Sequence, residues 1–264
     1  IYSDISSPDS VQSLKAVLGN APANTRILAG GTDLLLELKQ GIKPPAELVV
    51  DVSAIPEMLK LELKGSQIYI GAVVPLADVA SSALIQDKAT ALYEACRLIG
   101  GPQVRNVATL GGNVGHALPA ADGSIALLSL DAQADVLTAE GIVRSRLQDL
   151  YHGPGITALN PKDVILGFWV DAAGRNQASA FKRIMRPQGV ALPILNVAIW
   201  LERSDDVIHS IRIAVGPGGP VPTRATAAEE YLTGKKIEDE ILQQAVDLLL
   251  SGIKLRTSAM RATA

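Results

Sequence analysis

Apolar positions alternate between helical and strand-like spacing through residues 1–160 and then become mainly strand-like. Val11, Leu14, Val17 and Leu18 fall on one face of a helix that Pro8-Asp9-Ser10 opens. Residues 26–29 predict a short strand, and 32–39 a helix stopped by Gly41 and Pro44. Residues 48–52 are apolar almost throughout, as a buried strand is. Together these elements predict a small βαβ-like unit ending near Ser53. A second unit follows, with a strand over 67–70 closed by Gly71, a helix from Pro75 to Ala80, and a helix over 88–98. Gly100-Gly101-Pro102 breaks the chain before a helix over 124–130, a strand over 134–138 and a short helical turn over 146–151. A loop rich in Gly, Pro and Asn runs to Pro161. From Lys162 the pattern predicts strands over 164–170, 178–184, 195–202 and 207–215, with Ser204-Asp205-Asp206 as a hairpin turn. Gly216-Pro217-Gly218-Gly219-Pro220 is a loop, and 225–232 and 238–250 are amphipathic helices. The expected fold is α+β and divides between Asn160 and Lys162. Residues 1–160 form one domain, with subdomains of about 1–53 and 54–160, and residues 161–264 form another.

Two segments stand out from this pattern. Ala29-Gly30-Gly31-Thr32-Asp33 and Thr109-Leu110-Gly111-Gly112-Asn113 each pair two glycines with a small polar residue, near the start of a helix. Paired glycines open backbone conformations closed to other residues and leave no side chain between the backbone and a ligand. Successive N–H groups in such a turn make a concave anion site, reinforced where a helix N-terminus points the same way. Either loop alone is equally a strand-to-helix turn without a ligand. Thr32 is then an N-cap, and Asp33 suits the first helical turn through the helix dipole. Two such loops in one chain point to two cradles on one diphosphate. Neither is a G-x-G-x-x-G or a P-loop, which sets aside the nucleotide sites those motifs build.

Composition narrows the remaining chemistry. The chain is 48% hydrophobic and 19% charged, the profile of a folded domain. A net charge of -3 without a basic cluster gives no electrostatic footprint for nucleic acid. No apolar run reaches membrane-spanning length, and Ile1-Tyr2-Ser3-Asp4 has no signal-peptide character. The missing initiator methionine implies processing or a beginning upstream. Only 3% of residues are aromatic, so a planar ring finds few stacking partners. One cysteine, Cys96, makes no intramolecular disulfide and ligates no iron–sulfur cluster by itself, which fits the reducing cytoplasm. It reads as a buried apolar residue, with a reactive thiol as the alternative. His116, His152 and His209 are scattered, without metal-ligand spacing. Asp122 is either the cap of the apolar helix after it or an acceptor for a ligand hydroxyl or ring N–H. Lys182-Arg183 with Arg186 forms an exposed basic face, or else Lys182 points into a cleft toward an anion. No Ser/His/Asp set, carboxylate pair or Cys/His arrangement is evident, so any redox or transfer chemistry falls to a cofactor.

Several stretches also carry a family resemblance. Residues 28–39 (LAGGTDLLLELK), Ile70-Gly71-Ala72, 103–113 (QVRNVATLGGN), 119–122 with 127–132, 180–186 (AFKRIMR) and 256–261 (RTSAMR) resemble the FAD-binding medium subunit of the molybdenum hydroxylases. That family includes carbon monoxide dehydrogenase and xanthine dehydrogenase. The resemblance covers nearly the whole chain and preserves the order of the motifs. It implies a two-subdomain FAD-binding unit of the vanillyl-alcohol-oxidase (PCMH) type, then a C-terminal α/β domain with a small antiparallel sheet. It further implies FAD as cofactor, an iron–sulfur subunit and a molybdopterin-binding large subunit as partners, and NAD or another small electron acceptor.

Carried onto this chain, the resemblance has Leu28, Ala29, Gly30, Gly31, Thr32 and Asp33 wrap the pyrophosphate with backbone amides. Thr109, Gly111, Gly112 and Asn113 hold it from the other side, with the Thr109 hydroxyl or Asn113 side chain as added donors. Asp122 accepts from ribityl or adenosine hydroxyls, Ile165 or Leu166 packs by the adenine or flavin edge, and Lys182 lies near the flavin ring. No residue takes a catalytic or metal-binding role. The chain departs from the family pattern at 187–193 (PQGVALP), which lacks the acid and aromatic found there in many relatives. It departs again at His116, usually a small or amide residue, and at Gly123, commonly apolar. The expected function is that of an FAD-binding electron-transfer subunit in a hetero-oligomer. The alternatives are a stand-alone flavin oxidoreductase and a flavin-free assembly subunit of the same fold.

Overall fold

In the computed structural model, which describes residues 1–186 and 192–254, the chain opens with a three-stranded parallel sheet. The 256–261 motif and most of the altered 187–193 run lie outside the described residues. The first elements are β1 (Tyr2–Ser6), α1 (Val11–Asn20), β2 (Thr25–Leu28), α2 (Leu34–Lys39) and β3 (Ala46–Asp51). β3 lies between β1 and β2, parallel to both. α1 starts where Ser10 and Ser13 form a reciprocal capping box, a device that contributes about 1 kcal/mol, and it buries Leu14 and Leu18. β1 escapes the hydrophobic pattern because it is an edge strand with four of its five residues exposed; its backbone ladder to β3 defines it.

The second unit contains β4 (Leu61–Lys64), β5 (Gln67–Gly71), α3 (Leu76–Val79), α4 (Ala83–Lys88), α5 (Thr90–Leu98), α6 (Pro102–Arg105), α7 (Leu110–Gly115) and α8 (Asp122–Ser129). It continues through β6 (Gln133–Leu137), β7 (Ile142–Arg146), β8 (Tyr151–Gly153), β9 (Ile156–Thr157) and β10 (Val164–Asp171). Its antiparallel sheet has the order β4-β5-β10-β6-β7. β10 is therefore the central strand of this sheet, although the hydrophobic pattern assigns it to the part after Lys162. Pairing with β5 and β6 moves the division from Asn160–Lys162 to the stretch after Asp171. Both partners are remote along the chain, so local spacing carries no trace of them.

The last unit is an antiparallel sheet of β11 (Gln177–Ile184), β12 (Leu195–Ser204), β13 (Val207–Gly216) and β14 (Thr223–Arg224), followed by α9 (Thr226–Leu232) and α10 (Asp239–Gly252). One face packs Ile211, Ile213 and Val215 against Ala228, Leu232 and Ala245 of the two helices. The opposite face sends Phe181, Ala198, Trp200 and Ala214 into the core shared with α5 and α8. All residues of α8 are buried, because it is covered on every side. Cys96 on α5 is fully buried, and burial pushes its thiol up, so it fills space as an unreactive apolar residue. Among the described residues, no helix is long and apolar enough to cross a membrane.

Hydrogen bonds join the C-terminal sheet to the helices beneath it. The Phe181 amide donates to Glu94 Oε2 at 2.7 Å, the Ala91 amide to Ser179 Oγ at 3.0 Å, and Arg212 Nε to the Ser129 carbonyl at 2.9 Å. The first of these occupies an outward N–H of the edge strand β11. Glu94→Ala leaves that amide without an acceptor and lowers stability by about 1–3 kcal/mol in denaturant unfolding. Glu94→Gln keeps an acceptor and most of the stability; equal losses in the two variants would contradict this role.

Candidate functional site

A cleft of about 1410 Å³ runs between the two N-terminal units and the near edge of the C-terminal sheet. Both glycine loops line it, as do Asp122, Ile165, Arg183 and residues 192–195. It exceeds the usual size of a small-molecule pocket, which suits a long ligand lying across several elements.

The first loop leaves β2 after Leu28. The Leu28 carbonyl accepts from the Val52 amide at 2.9 Å, so this residue is spent in the sheet and does not line the cleft. Ala29, Gly30, Gly31, Thr32 and Asp33 all line it. Among the described residues, their amides donate to no internal acceptor. Gly31 takes a φ of +70°, open to glycine at low cost. Gly30 is required by contact: a methyl group there would lie 2.0 Å from the Val107 carbonyl oxygen and 2.8 Å from Ala108 Cα. The expected helix start shifts from Thr32 to Asp33, which caps α2 without a side-chain bond, while the Thr32 hydroxyl donates to Asp33 Oδ2 at 3.0 Å.

The second loop is built differently. Thr109 is the N-cap of α7 and its Oγ1 accepts from the Gly112 amide at 3.0 Å. The Gly111 amide donates to the Ala72 carbonyl at 2.9 Å, and the Asn113 amide to the Thr109 carbonyl at 3.0 Å. Three amides of the sequence-predicted cradle are thus already engaged. Asn113 Oδ1 accepts from the Ser124 amide at 3.2 Å, so this side chain ties α7 to α8. Gly123 explains itself here, since a methyl group at that position would come within 2.7 Å of Asn113 Oδ1. The unusual residue makes room for the asparagine. His116 caps the C-terminus of α7 and lines the cleft.

Asp122 is the first residue of α8 and makes no capping bond. Its carboxylate is buried, with Oδ2 2.5 Å from Arg183 Nη1 and Oδ1 2.6 Å from Asn196 Nδ2. Burial pushes its carboxyl above the ordinary range, against the Asn196 hydrogen bond and the Arg183 charge, which pull it down. The cation of β11 that faces the cleft is therefore Arg183, while Lys182 is exposed on the opposite face of the strand. Strand alternation explains the correction, because Phe181 points inward and Arg183 shares its face. Ile165 lines the cleft. Leu166 does not, and its carbonyl accepts from the Ala72 amide at 2.9 Å and from the Tyr69 hydroxyl at 3.2 Å. The sequence analysis also missed Arg26, Ile99, Gly100 and Val104 as lining residues, and nothing in local spacing marks them.

Residues 2–170 match the family described as the FAD binding domain in molybdopterin dehydrogenase, and residues 179–264 match the CO dehydrogenase flavoprotein C-terminal domain. The chain belongs to this flavoprotein family. It is 29% identical over 244 residues to the carbon monoxide dehydrogenase medium chain of Hydrogenophaga pseudoflava, covering 92% of this chain and 84% of that one. It is 27% identical over 227 residues to the nicotinate dehydrogenase FAD-subunit of Eubacterium barkeri, covering 84% and 76% respectively. The fold superposes on carbon monoxide dehydrogenase from H. pseudoflava lacking the Mo-pyranopterin moiety of its cofactor, with a TM-score of 0.92 at 28% identity. That match covers 98% of this chain and 89% of the other.

The family cofactor, FAD, fits the residues present. Among the described residues, the amides at 29–33 are unpartnered donors along one wall, and Gly30 seats that wall against Val107 where no Cβ fits. Of the lining cations, Lys43 pairs with Glu37 at 2.7 Å and Arg183 with Asp122. Arg26 donates to the Thr25 carbonyl at 3.2 Å and is in no ion pair among the described residues, so Arg26 and the backbone dipoles are left to meet the charge of a bound diphosphate. Arg183 Nε and Asn196 Oδ1 are buried without a partner among the described residues, leaving polar capacity for ligand or water beside the cleft.

Two outcomes follow from this geometry. Gly30→Ala forces the loops apart and lowers FAD affinity by at least tenfold in fluorescence titration, about 1.4 kcal/mol. Gly19→Ala, where a methyl group meets nothing within 4 Å, leaves affinity unchanged. Arg183→Met strands the Asp122 carboxylate and costs about 3–5 kcal/mol of stability at neutral pH, and adding Asp122→Asn restores most of it. The single-variant deficit shrinks as pH falls, because the stranded carboxyl has a folded-state pKa above its unfolded value and protonation removes the buried charge. A deficit that does not change with pH would contradict this account.

Proposed function

We propose that this chain is the FAD-binding electron-transfer subunit of a molybdopterin-dependent hydroxylase or dehydrogenase complex. Electrons would pass between an iron–sulfur subunit and an external acceptor, such as NAD or another small molecule, through the FAD held here. The observation that carries this reading is the run of amides at Ala29–Asp33, unpartnered among the described residues, in a long cleft whose described lining holds no side-chain nucleophile–base set. Bound FAD would supply the redox chemistry, which no described side chain of the cleft offers. The chain's own residues bind and shape. The 29–33 amides take the diphosphate, Gly111 anchors α7 to Ala72, and the Asp122–Arg183–Asn196 cluster fixes the wall where the two domains meet.

The relatives bear on the partners. They carry the names medium chain and FAD-subunit of dehydrogenases, and the solved relative is described by its molybdenum cofactor. This chain has one cysteine, and it is buried. Iron–sulfur and molybdenum centres therefore fall to separate subunits in this reading.

The test is co-expression with candidate iron–sulfur and molybdopterin subunits, followed by flavin absorbance during substrate addition. The chain alone should yield FAD on denaturation and show no bleaching of its flavin bands by substrate. Bleaching should appear only in the assembled complex. Bleaching by substrate without partners would instead identify a stand-alone oxidoreductase, and a colourless protein that takes up no added FAD would identify an assembly subunit.

A further inference from the structure

A second, smaller hollow of about 330 Å³, open to solvent, adjoins the helices that support the cleft wall. It is lined by Ala77, Ala80, Arg97, Pro102, Arg105 and Asn106. Val104 of α6 faces the cleft, whereas Pro102, Arg105 and Asn106 face this cavity, so α6 separates the two. No carboxylate lines it, and among the described residues neither arginine is in an ion pair.

Arg105 is half-buried and Arg97 exposed, and each guanidinium makes contacts that leave one donor edge without a partner among the described residues. Arg105 Nη1 donates to the Ile99 carbonyl at 3.1 Å and to the Gly100 carbonyl at 2.7 Å, which fixes the guanidinium plane and leaves its Nε–Nη2 edge uncommitted. Arg97 Nη1 donates to the Tyr93 hydroxyl at 3.0 Å, and the guanidinium carbon lies 5.2 Å from the centre of the Tyr93 ring. Among the described residues, its Nε–Nη2 edge is likewise unused. Side-chain entropy normally weighs against a site made of arginines, and here part of it is already lost before a ligand arrives. Ala77 and Ala80 contribute little bulk to the wall between them.

We propose that this cavity binds a phosphoryl oxyanion, either free phosphate or the phosphate group of a small ester, as a site separate from the FAD cleft. A single guanidinium edge satisfies a carboxylate by bidentate bonding. Two edges from α5 and α6, with the Asn106 amide beside them, match a tetrahedral dianion that presents oxygens in several directions.

The probe is inorganic phosphate, titrated at ionic strength held constant with chloride and followed by phosphorus-31 line broadening. A parallel titration uses a nucleoside monophosphate. Saturable binding with Kd of about 1 mM is expected for the unaltered protein carrying its FAD. Arg97→Gln should weaken it at least tenfold with the thermal midpoint unchanged, while Arg97→Lys keeps part of it. Tighter binding of the monophosphate marks an ester as the ligand, and equal binding marks the free ion. Absence of saturable binding, or equal affinity in Arg97→Gln, would overturn the proposal. A colourless preparation faults the flavin reading alone, because phosphate held by the 29–33 amides does not respond to Arg97.

Discussion

The chain crosses itself closely at Gly30, where its backbone rests against the Val107 carbonyl and Ala108 Cα without room for a methyl group. This contact sets the spacing between the β2–α2 turn and the segment that leads from α6 into α7, and the cleft lies along that seam. Because the turn is pinned through its backbone, its amides need not bond within the protein to stay in place. They remain available to a ligand. Residues 29–32 are half-buried and Asp33 is exposed, so this run of amides without internal acceptors stands open along one concave wall, the arrangement that an anion would complete.

Around that seam, several other polar groups are already committed. The α7 loop resembles a second anion cradle, yet it gives its Gly111 amide to Ala72 and its Gly112 amide to Thr109. Arg183 is neutralised by Asp122 inside the domain junction. A buried ion pair of this kind contributes little net stability, because removing both charges from water offsets most of their attraction. Its effect is on geometry: either partner alone is costly, so the pair favours the seating of the C-terminal sheet on α8 that keeps both together. Positioning through α8, Asn196 and the Ala120 carbonyl thus reaches the cleft wall from the C-terminal side.

Much of this was legible in the sequence wherever a local rule decides the outcome. The paired glycines marked both loops, because a close backbone approach and a positive φ leave few other residues possible. The Asp205–Asp206 hairpin turn, the capped start of α1 and the amphipathic α10 follow from similar short-range rules. Long-range pairing was hidden. β10 reads as an apolar strand from its residues alone, but its place at the centre of the five-stranded sheet comes from β5 and β6. β1 and β7 are edge strands with mainly exposed side chains, so neither shows an apolar alternation. The difference between the two glycine loops is also long-range, since the Ala72 carbonyl consumes one amide of the second. The exchange of Lys182 for Arg183 differs in kind. Phe181 on the same strand carried the phase, and a basic pair without that phase is ambiguous by one position.

The claim on which this account rests is that FAD diphosphate is held by the 29–33 amides, with the 109–113 loop serving as support. Amide hydrogen exchange on flavin-stripped and FAD-loaded protein measures this directly. The account predicts that FAD slows exchange sharply at residues 29–33, while Gly111, Gly112 and Asn113 are already protected without it and change little. Protection that rises at 111–113 while 29–33 stays unchanged would contradict it.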